Sequence, residues 1–535
     1  MPKTRRLLHQ EITYSFARRE EVNILHRLGY PDQRSKFFSL ILNNRDWIKA
    51  VIAHHLRLPS TDACHVADVA EWLHGSFNVC IPVTIDDWKE KTQPGNRVLI
   101  RFPLPYRVGD AFRPGNGDEK IRCEAGTYAW LQENCPDVPI PRLYGFATST
   151  GETFTHLENL PIIRRSFQYL RRLLLSYLGR PIPSCYVYHR PEMQIHTGDL
   201  QTGYLLMEFV EKTTGQMLSD TWLERHSDDK LRTTFFRDLC RIILSIARIP
   251  LPRIGSFIIN KSGFLQLTNR PLSIEIQDLE NEQIPTNMPR DYTYSTIQSY
   301  VMDTLHAHNN RLIHQPNAIN DTGDYVYQTS ALTGMQTVLP SFFTHELSRG
   351  PFVFTLTDLH QSNIFVDDEW HITSVVDLEW ACSQPIEMVR PPTWLTNKAC
   401  DEIAQDADEY DQARSEFMDI LMEEESKVHA TVLSTGQTPC NPALSAMMRR
   451  SWESGTFWYS LALASPTGLF AIFYKQIQPR FIKYCKSHDE FQQIMPWYWS
   501  QDFVRIGATK KADREKYDIR LKEAFEDEAT EPRNI

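Results

Sequence analysis

Apolar residues along the chain fall into distinct textures, and each predicts a different kind of element. Between Ser35 and Leu58, Phe38, Leu40, Ile41, Leu42, Trp47, Ile48, Val51 and Ile52 recur close to helical spacing. That pattern predicts a partly helical N-terminal extension over 1–64, packed on the body of the chain. From His65 to about Tyr106 the texture changes to short β-branched runs, Val79-Cys-Ile-Pro-Val-Thr-Ile and Arg97-Val-Leu-Ile-Arg-Phe, parted by a turn segment at 92–96. Such runs predict a meander of strands. Helical spacing returns from Glu119 to Glu133 through Ile121, Ala125, Tyr128, Ala129 and Leu131, and it must stop before Pro136.

Strand texture reappears at Pro139–Phe146 and at Tyr204–Val210, so 65–210 reads as one small β-rich lobe with an insertion at about 151–200. The polar exit Glu211-Lys-Thr-Thr-Gly marks the lobe boundary. Beyond it, 211–508 is mostly helical by pattern, clearest at Leu231–Ile246 and Tyr292–His306, and a β-rich island interrupts it at 352–377. The uncharged run Phe457–Tyr474 is split by Pro466 and Gly468, which predicts two short buried helices instead of a membrane span. Residues 509–535 are densely charged and read as a helix running out into a solvated tail. The fold class is α+β in two lobes.

The island carries the chemistry. Strand Phe352-Val-Phe-Thr-Leu delivers Asp358, Asn363 follows five residues later, a turn at Asp367-Asp368-Glu369 reverses the chain, and the returning strand ends at Asp377. Phosphoryl transfer needs a carboxylate to receive the acceptor proton and oxygen ligands that hold magnesium against the phosphates. Asp358 supplies the base in that scheme, with Asn363 and Asp377 as magnesium ligands. Asp358 or Asp377 alone reads more often as a turn or N-cap residue; the ordered set gives the motif its specificity.

The segment Thr357-Asp-Leu-His-Gln-Ser-Asn363, followed by Asp377-Leu-Glu-Trp-Ala, resembles the catalytic and metal loops of the aminoglycoside phosphotransferase and choline kinase-like family, especially its fungal members. His360 matches the family's second histidine, whereas Thr357 stands where the family has glycine. The resemblance implies a protein-kinase-like fold that uses ATP and Mg, with a catalytic loop at 357–363 and a metal loop at 377–381. It also implies nucleotide-binding residues in the first lobe. These are Gly75, Ser76, Phe77 and Asn78 in a phosphate-covering hairpin, Arg101 in the position of the family's lysine, and Glu124 as its helix partner. Glu208 and Val210 fall in the adenine-binding hinge. Arginine keeps the positive charge but not the geometry of an ammonium. A plain turn at Gly75 and a surface role for Arg101 are the alternatives that the residues alone leave open.

Composition narrows the function classes. A net charge of −10 argues against a general nucleic-acid binder. Ten scattered cysteines without CxxC pairs predict reduced thiols and a cytoplasmic setting, with a mitochondrial location as the lesser alternative suggested by the basic start. No Gly-x₄-Gly-Lys-Ser/Thr loop or Gly-x-Gly-x-x-Gly fingerprint occurs. The expected partner is a small-molecule acceptor with a hydroxyl group; neither nucleic acid nor membrane is expected, and no protein partner can be inferred. The acidic stretch 401–425 lies where family members build the acceptor pocket, and it reads first as a solvated helix face. A catalytically weak nucleotide-binding scaffold and an all-helical interaction protein are the competing readings.

Overall fold

The computed structural model describes residues 3–88, 95–189, 200–434, 442–481 and 488–526. Its first lobe is built on an antiparallel sheet of Cys64–Val66 (β1), Leu73–His74 (β2), Asn78–Ile85 (β3), Arg97–Pro103 (β4), Leu143–Ala147 (β5), Thr153–His156 (β6), Tyr186–His189 (β7) and Tyr204–Glu208 (β8). The order across the sheet is β1-β3-β4-β8-β5-β6-β7, with β2 paired to β3. Part of the turn expected at 92–96 lies outside the described residues. The stretch expected as an insertion supplies two strands of the sheet itself, β6 and β7, because Phe154 and Tyr186 alternate inward onto Phe146.

Strand alternation decides which face each side chain meets. On β4, Val98, Ile100 and Phe102 turn to one face, where Tyr30–Asn43 (α1) and Arg45–Leu56 (α2) cover them with Ile41, Ile48, Val51 and Ile52. The helical spacing expected over Ser35–Leu58 is thus carried by two helices, broken at Asn44. Arg101 turns to the other face, toward Asn116–Asn134 (α3). Gly126 lets α3 lie directly on the strand Ser256–Ile259: a Cβ there would meet Phe257 O at 2.1 Å. A further helix, Ile162–Tyr177 (α4), joins β6 to β7.

The body of the second lobe is helical, with Asp229–Ala247 (α5), Ile274–Asn281 (α6), Ile297–His314 (α7), Thr322–Phe342 (α8) and Ala407–Ser434 (α9). Between them lie the strands Phe352–Thr355 (β9), Ile364–Val366 (β10), Ile372–Val375 (β11) and Cys382–Pro385 (β12). Phe235, Phe236 and Leu239 of α5 bury against Val353, Ile364 and Val366, each such side chain stabilising the fold by about 1.5–3 kcal/mol. The run Phe457–Tyr474 forms a helix to Leu463 and a second from Leu469, both buried.

The charged C-terminal stretch is a long helix, Phe503–Glu526 (α10), whose Lys510, Arg514, Tyr517, Leu521 and Phe525 are buried at helical spacing. It packs on residues 12–28, and Ile24 N–H donates to Tyr517 Oη at 3.0 Å. The described cysteines are all free; Cys440 and Cys485 lie outside the described residues.

Candidate active site

Beyond β9 the chain leaves the sheet and is pinned at several points. Thr357 Oγ1 donates to Trp380 O at 2.6 Å, and Trp394 Nε1 donates to Leu359 O at 2.7 Å. His360 Nδ1 accepts from Ser362 N–H at 3.3 Å and closes the short turn that presents Asn363. Asn363 Nδ2 then donates to Asp358 O at 2.9 Å and to Asp358 Oδ2 at 3.2 Å. The returning strand is tied to the same loop, because Val376 N–H donates to Asn363 O at 2.9 Å. Asp377 comes next with φ 58°, a left-handed conformation that aspartate tolerates better than most residues. In that turn the carboxylate reaches the first lobe.

There Arg101 meets it. Its guanidinium, almost fully buried, donates to Glu124 Oε1 at 2.6 Å and lies 2.7 Å from Asp377 Oδ1, and it also pairs with Glu379. Lys120, one helical turn before Glu124 on α3, sends Nζ to Glu379 Oε2 at 3.0 Å and to Asn78 Oδ1 at 2.5 Å. Asn78 Nδ2 closes the circuit on Glu379 Oε2 at 2.9 Å. Trp130 of α3 rests on Phe354 of β9 with ring centroids 4.5 Å apart, so the helix is fixed to the strand that leads to Asp358.

The structure therefore gathers Arg101, Glu124, Asn78 and Asp377, and beside them Asn363 and Asp358. Lys120 and Glu379 were not among the expected site residues. Their signals were the helical i, i+4 spacing of Lys120 to Glu124 and the Asp-x-Glu spacing after β11, both common enough to pass as surface charge.

Two cations, Arg101 and Lys120, face four carboxylates, Asp358, Glu124, Asp377 and Glu379. The imbalance shows in proton affinity. Burial, then the charges of Glu379 and Asp377, raise Asp358 to about 7. Burial raises Glu124 to about 7 against the pull of Arg101. Glu379 is held below its ordinary value: burial opposes this, and Arg101 and Lys120 overcome it. Arg101 Nε and Glu124 Oε2 are buried and have no hydrogen-bond partner among the described residues. Asp377 stays 42% exposed at the mouth. An excess of carboxylates over cations, with one accessible carboxylate and a neighbouring amide, suits a divalent cation. Among the described residues no three His, Cys, Asp or Glu side chains form a closed cage for a metal. Magnesium is commonly held by one or two carboxylates together with substrate phosphates.

The other expected nucleotide residues sit differently. Gly75 lies in the β2–β3 turn, where Gly75 N–H donates to Asn78 O at 3.1 Å and a Cβ would meet open space. Ser76 O accepts from Arg107 Nε at 2.7 Å. Phe77 is buried against Trp380, centroids 5.1 Å apart, and so belongs to the packing beneath the turn. Glu208 ends β8 with Oε2 accepting from Arg142 N–H at 3.1 Å, and half-buried Val210 lies two residues on. Neither Glu208 nor Val210 enters the charge network.

Asp358 opens on a cavity of about 260 Å³ whose wall includes Glu275, Tyr300, His308, Arg390 and Trp394. No residue of 401–425 lines it. That acidic stretch instead pairs along α9 and its approach, with Arg237 and Arg241 on Glu424 and Lys398 on Asp406.

No family model and no curated protein matches the chain. The chain is loosely similar to several solved structures, two of them kinases of small molecules by name. One is a thermostable mutant of the aminoglycoside phosphotransferase APH(4)-Ia in ternary complex with AMP-PNP and hygromycin B, at 10% identity over 85% of this chain and 94% of that one, with a TM-score of 0.33. The other is an ethanolamine kinase of Plasmodium vivax, at 13% identity over 85% of this chain and 82% of that one, with a TM-score of 0.32. Likeness this loose leaves the functional reading to the residues themselves.

Proposed function

We propose that the chain is a small-molecule kinase, transferring the γ-phosphoryl group of ATP, with magnesium, to a hydroxyl of its acceptor. The observation that supports this most is the meeting of Arg101 and Glu124, from a strand and helix of the first lobe, with Asp377 at the end of a hairpin of the second. Magnesium bound with ATP supplies charge neutralisation of the phosphates. Asp377 and Asn363 would hold it, and Glu124 keeps Arg101 facing the same place. Asp358, positioned by Asn363 and facing the cavity, orients the acceptor hydroxyl and takes its proton; a carboxyl near neutrality is well matched to that task. Incubating the protein with ATP, magnesium and fractionated metabolites, and looking for a mass gain of one phosphate, tests the reading. Tight ATP binding with no product from any fraction counts against it.

A second reading, a nucleotide-binding scaffold of low activity, is favoured by one contact. Arg101 lies 2.7 Å from Asp377 and so competes with a metal for that carboxylate. Arg101→Lys separates the two readings. A lysine reaches fewer carboxylates, so turnover rises in a kinase restrained by this grip and stays at background in a scaffold.

A further inference from the structure

The helix α4 is turned inside out. In a surface helix of a soluble protein the apolar stripe faces the core and the charged residues face water. Here Ile163, Phe167, Leu170, Leu173, Leu174 and Tyr177 fill one arc of about 120° at 100° per residue, interrupted only by Ser166. All six are exposed, Ile163 by 85% and Tyr177 by 87%, and no residue of the helix is buried. The arginines hold the helix to the body instead. Arg165 Nη1 donates to Glu158 O at 3.2 Å, Arg172 bonds to Pro183 O and lies 3.4 Å from Glu133, and the Arg171 guanidinium stands 5.6 Å from the Phe264 ring. Six large apolar side chains exposed side by side form a contiguous patch of the kind that marks an interaction site.

We propose that this face rests on the surface of a lipid bilayer rich in anionic headgroups. Charge selects that occupant. In a chain of net charge −10, residues 161–183 contain five arginines and no aspartate or glutamate. Arg164 borders the apolar arc on one side and Arg180 lies just past the helix, both exposed, where headgroup phosphates would meet them while the leucines enter the acyl boundary. Phe167, Tyr169 and Tyr177 are the side-chain types that favour such an interface. The helix spans 16 residues and carries four arginines, so it lies on a bilayer instead of crossing one, and among the described residues no helix is long and apolar enough to cross. A second copy of the chain is a poorer occupant. Antiparallel pairing would bring the arginine borders of the two helices together, and neither helix offers a carboxylate. The proposal departs from the sequence expectation of no membrane partner, and it stands independently of the kinase reading.

The test is co-sedimentation of the full chain with vesicles of phosphatidylcholine alone and of phosphatidylcholine mixed with phosphatidylserine. Binding to the mixed vesicles is expected, weakening by roughly tenfold or more in the exposed double variant Leu170→Ser/Leu174→Ser. Arg164→Gln/Arg180→Gln should weaken the same binding and reduce its sensitivity to salt. Absence of binding to mixed vesicles overturns the proposal, as does binding that the leucine substitutions leave unchanged. A dimer in sedimentation velocity that these substitutions dissolve, without vesicle binding, assigns the face to a second copy.

Discussion

Glu119 and Lys120 are neighbours on α3, yet they feed two buried charge networks of opposite character. Glu119 takes both prongs of the fully buried Arg270, at 2.8 Å each, and Arg270 also binds Glu280 at 2.7 and 2.9 Å. Arg113 and Arg290 join from the rim, at 2.7 Å from Glu280 and 3.0 Å from Glu119. Three cations enclose two carboxylates, and no buried side-chain N or O atom of Arg270, Glu119 or Glu280 lacks a partner. Lys120 belongs to the other network, where two cations face four carboxylates and both Arg101 and Glu124 keep an unpaired buried atom. A closed network fixes α3 to α6 and has nothing left to bind. An open one carries a standing electrostatic deficit that a ligand can fill.

The largest expected effect separates the two by stability. Arg270→Ala leaves the buried Glu119 and Glu280 with the rim cations Arg290 and Arg113 alone as charge partners and should cost about 3–5 kcal/mol in urea denaturation. Arg101→Ala should cost less, because Glu124 already lies near neutrality and can take up a proton when the cation is gone. Equal losses would erase the distinction drawn between the networks.

Activity should show the reverse order. Asp358→Ala is expected to lower turnover by roughly 10²–10⁴-fold, about 3–5 kcal/mol in the barrier, while leaving ATP affinity nearly unchanged. Single-turnover assays beside nucleotide titrations on the same preparation check both halves. Parallel loss of binding and turnover would place Asp358 in the nucleotide site instead.

A smaller effect comes from the carboxylate excess. Asp358 is held up to about 7 from an ordinary 3.8, so the folded chain binds this proton more tightly than the unfolded chain. Its contribution is whole below about pH 4 and is lost as the pH rises through 7. Asp358→Asn removes the penalty of the charged form. The variant should therefore melt about 1–3 °C above the parent at pH 8 and lose that advantage as the pH falls toward 4. A constant offset across that range contradicts the assigned environment.

The strands that frame the site were legible because β-branched runs alternate cleanly: β3 and β4 fall inside the predicted meander, and α3 within three residues of its predicted start. The Asp358-x₄-Asn363 spacing and the strand-terminal Asp377 were legible for the same reason, since a hairpin fixes where its ends lie. Buried charges were not legible. Lys120, Glu379, Arg270 and Glu280 look like ordinary surface residues in a one-dimensional pattern, and only tertiary contacts bring their partners together. The same blindness hid the burial of α10, though not its helix: Lys510 and Arg514 read as solvated charges, yet they share one buried stripe with Tyr517, Leu521 and Phe525. It also hid α4, whose helical spacing gives no sign that its apolar arc faces outward.

The central claim is that the open network around Arg101 is the metal and nucleotide site, and Asp377 is its accessible carboxylate. The most direct measurement is thermal stabilisation by ATP with and without magnesium in the parent, in Asp377→Ala and in Asp358→Ala. The account predicts a magnesium-dependent shift in the parent that survives in Asp358→Ala and disappears in Asp377→Ala. A shift of the same size in Asp377→Ala as in the parent contradicts it.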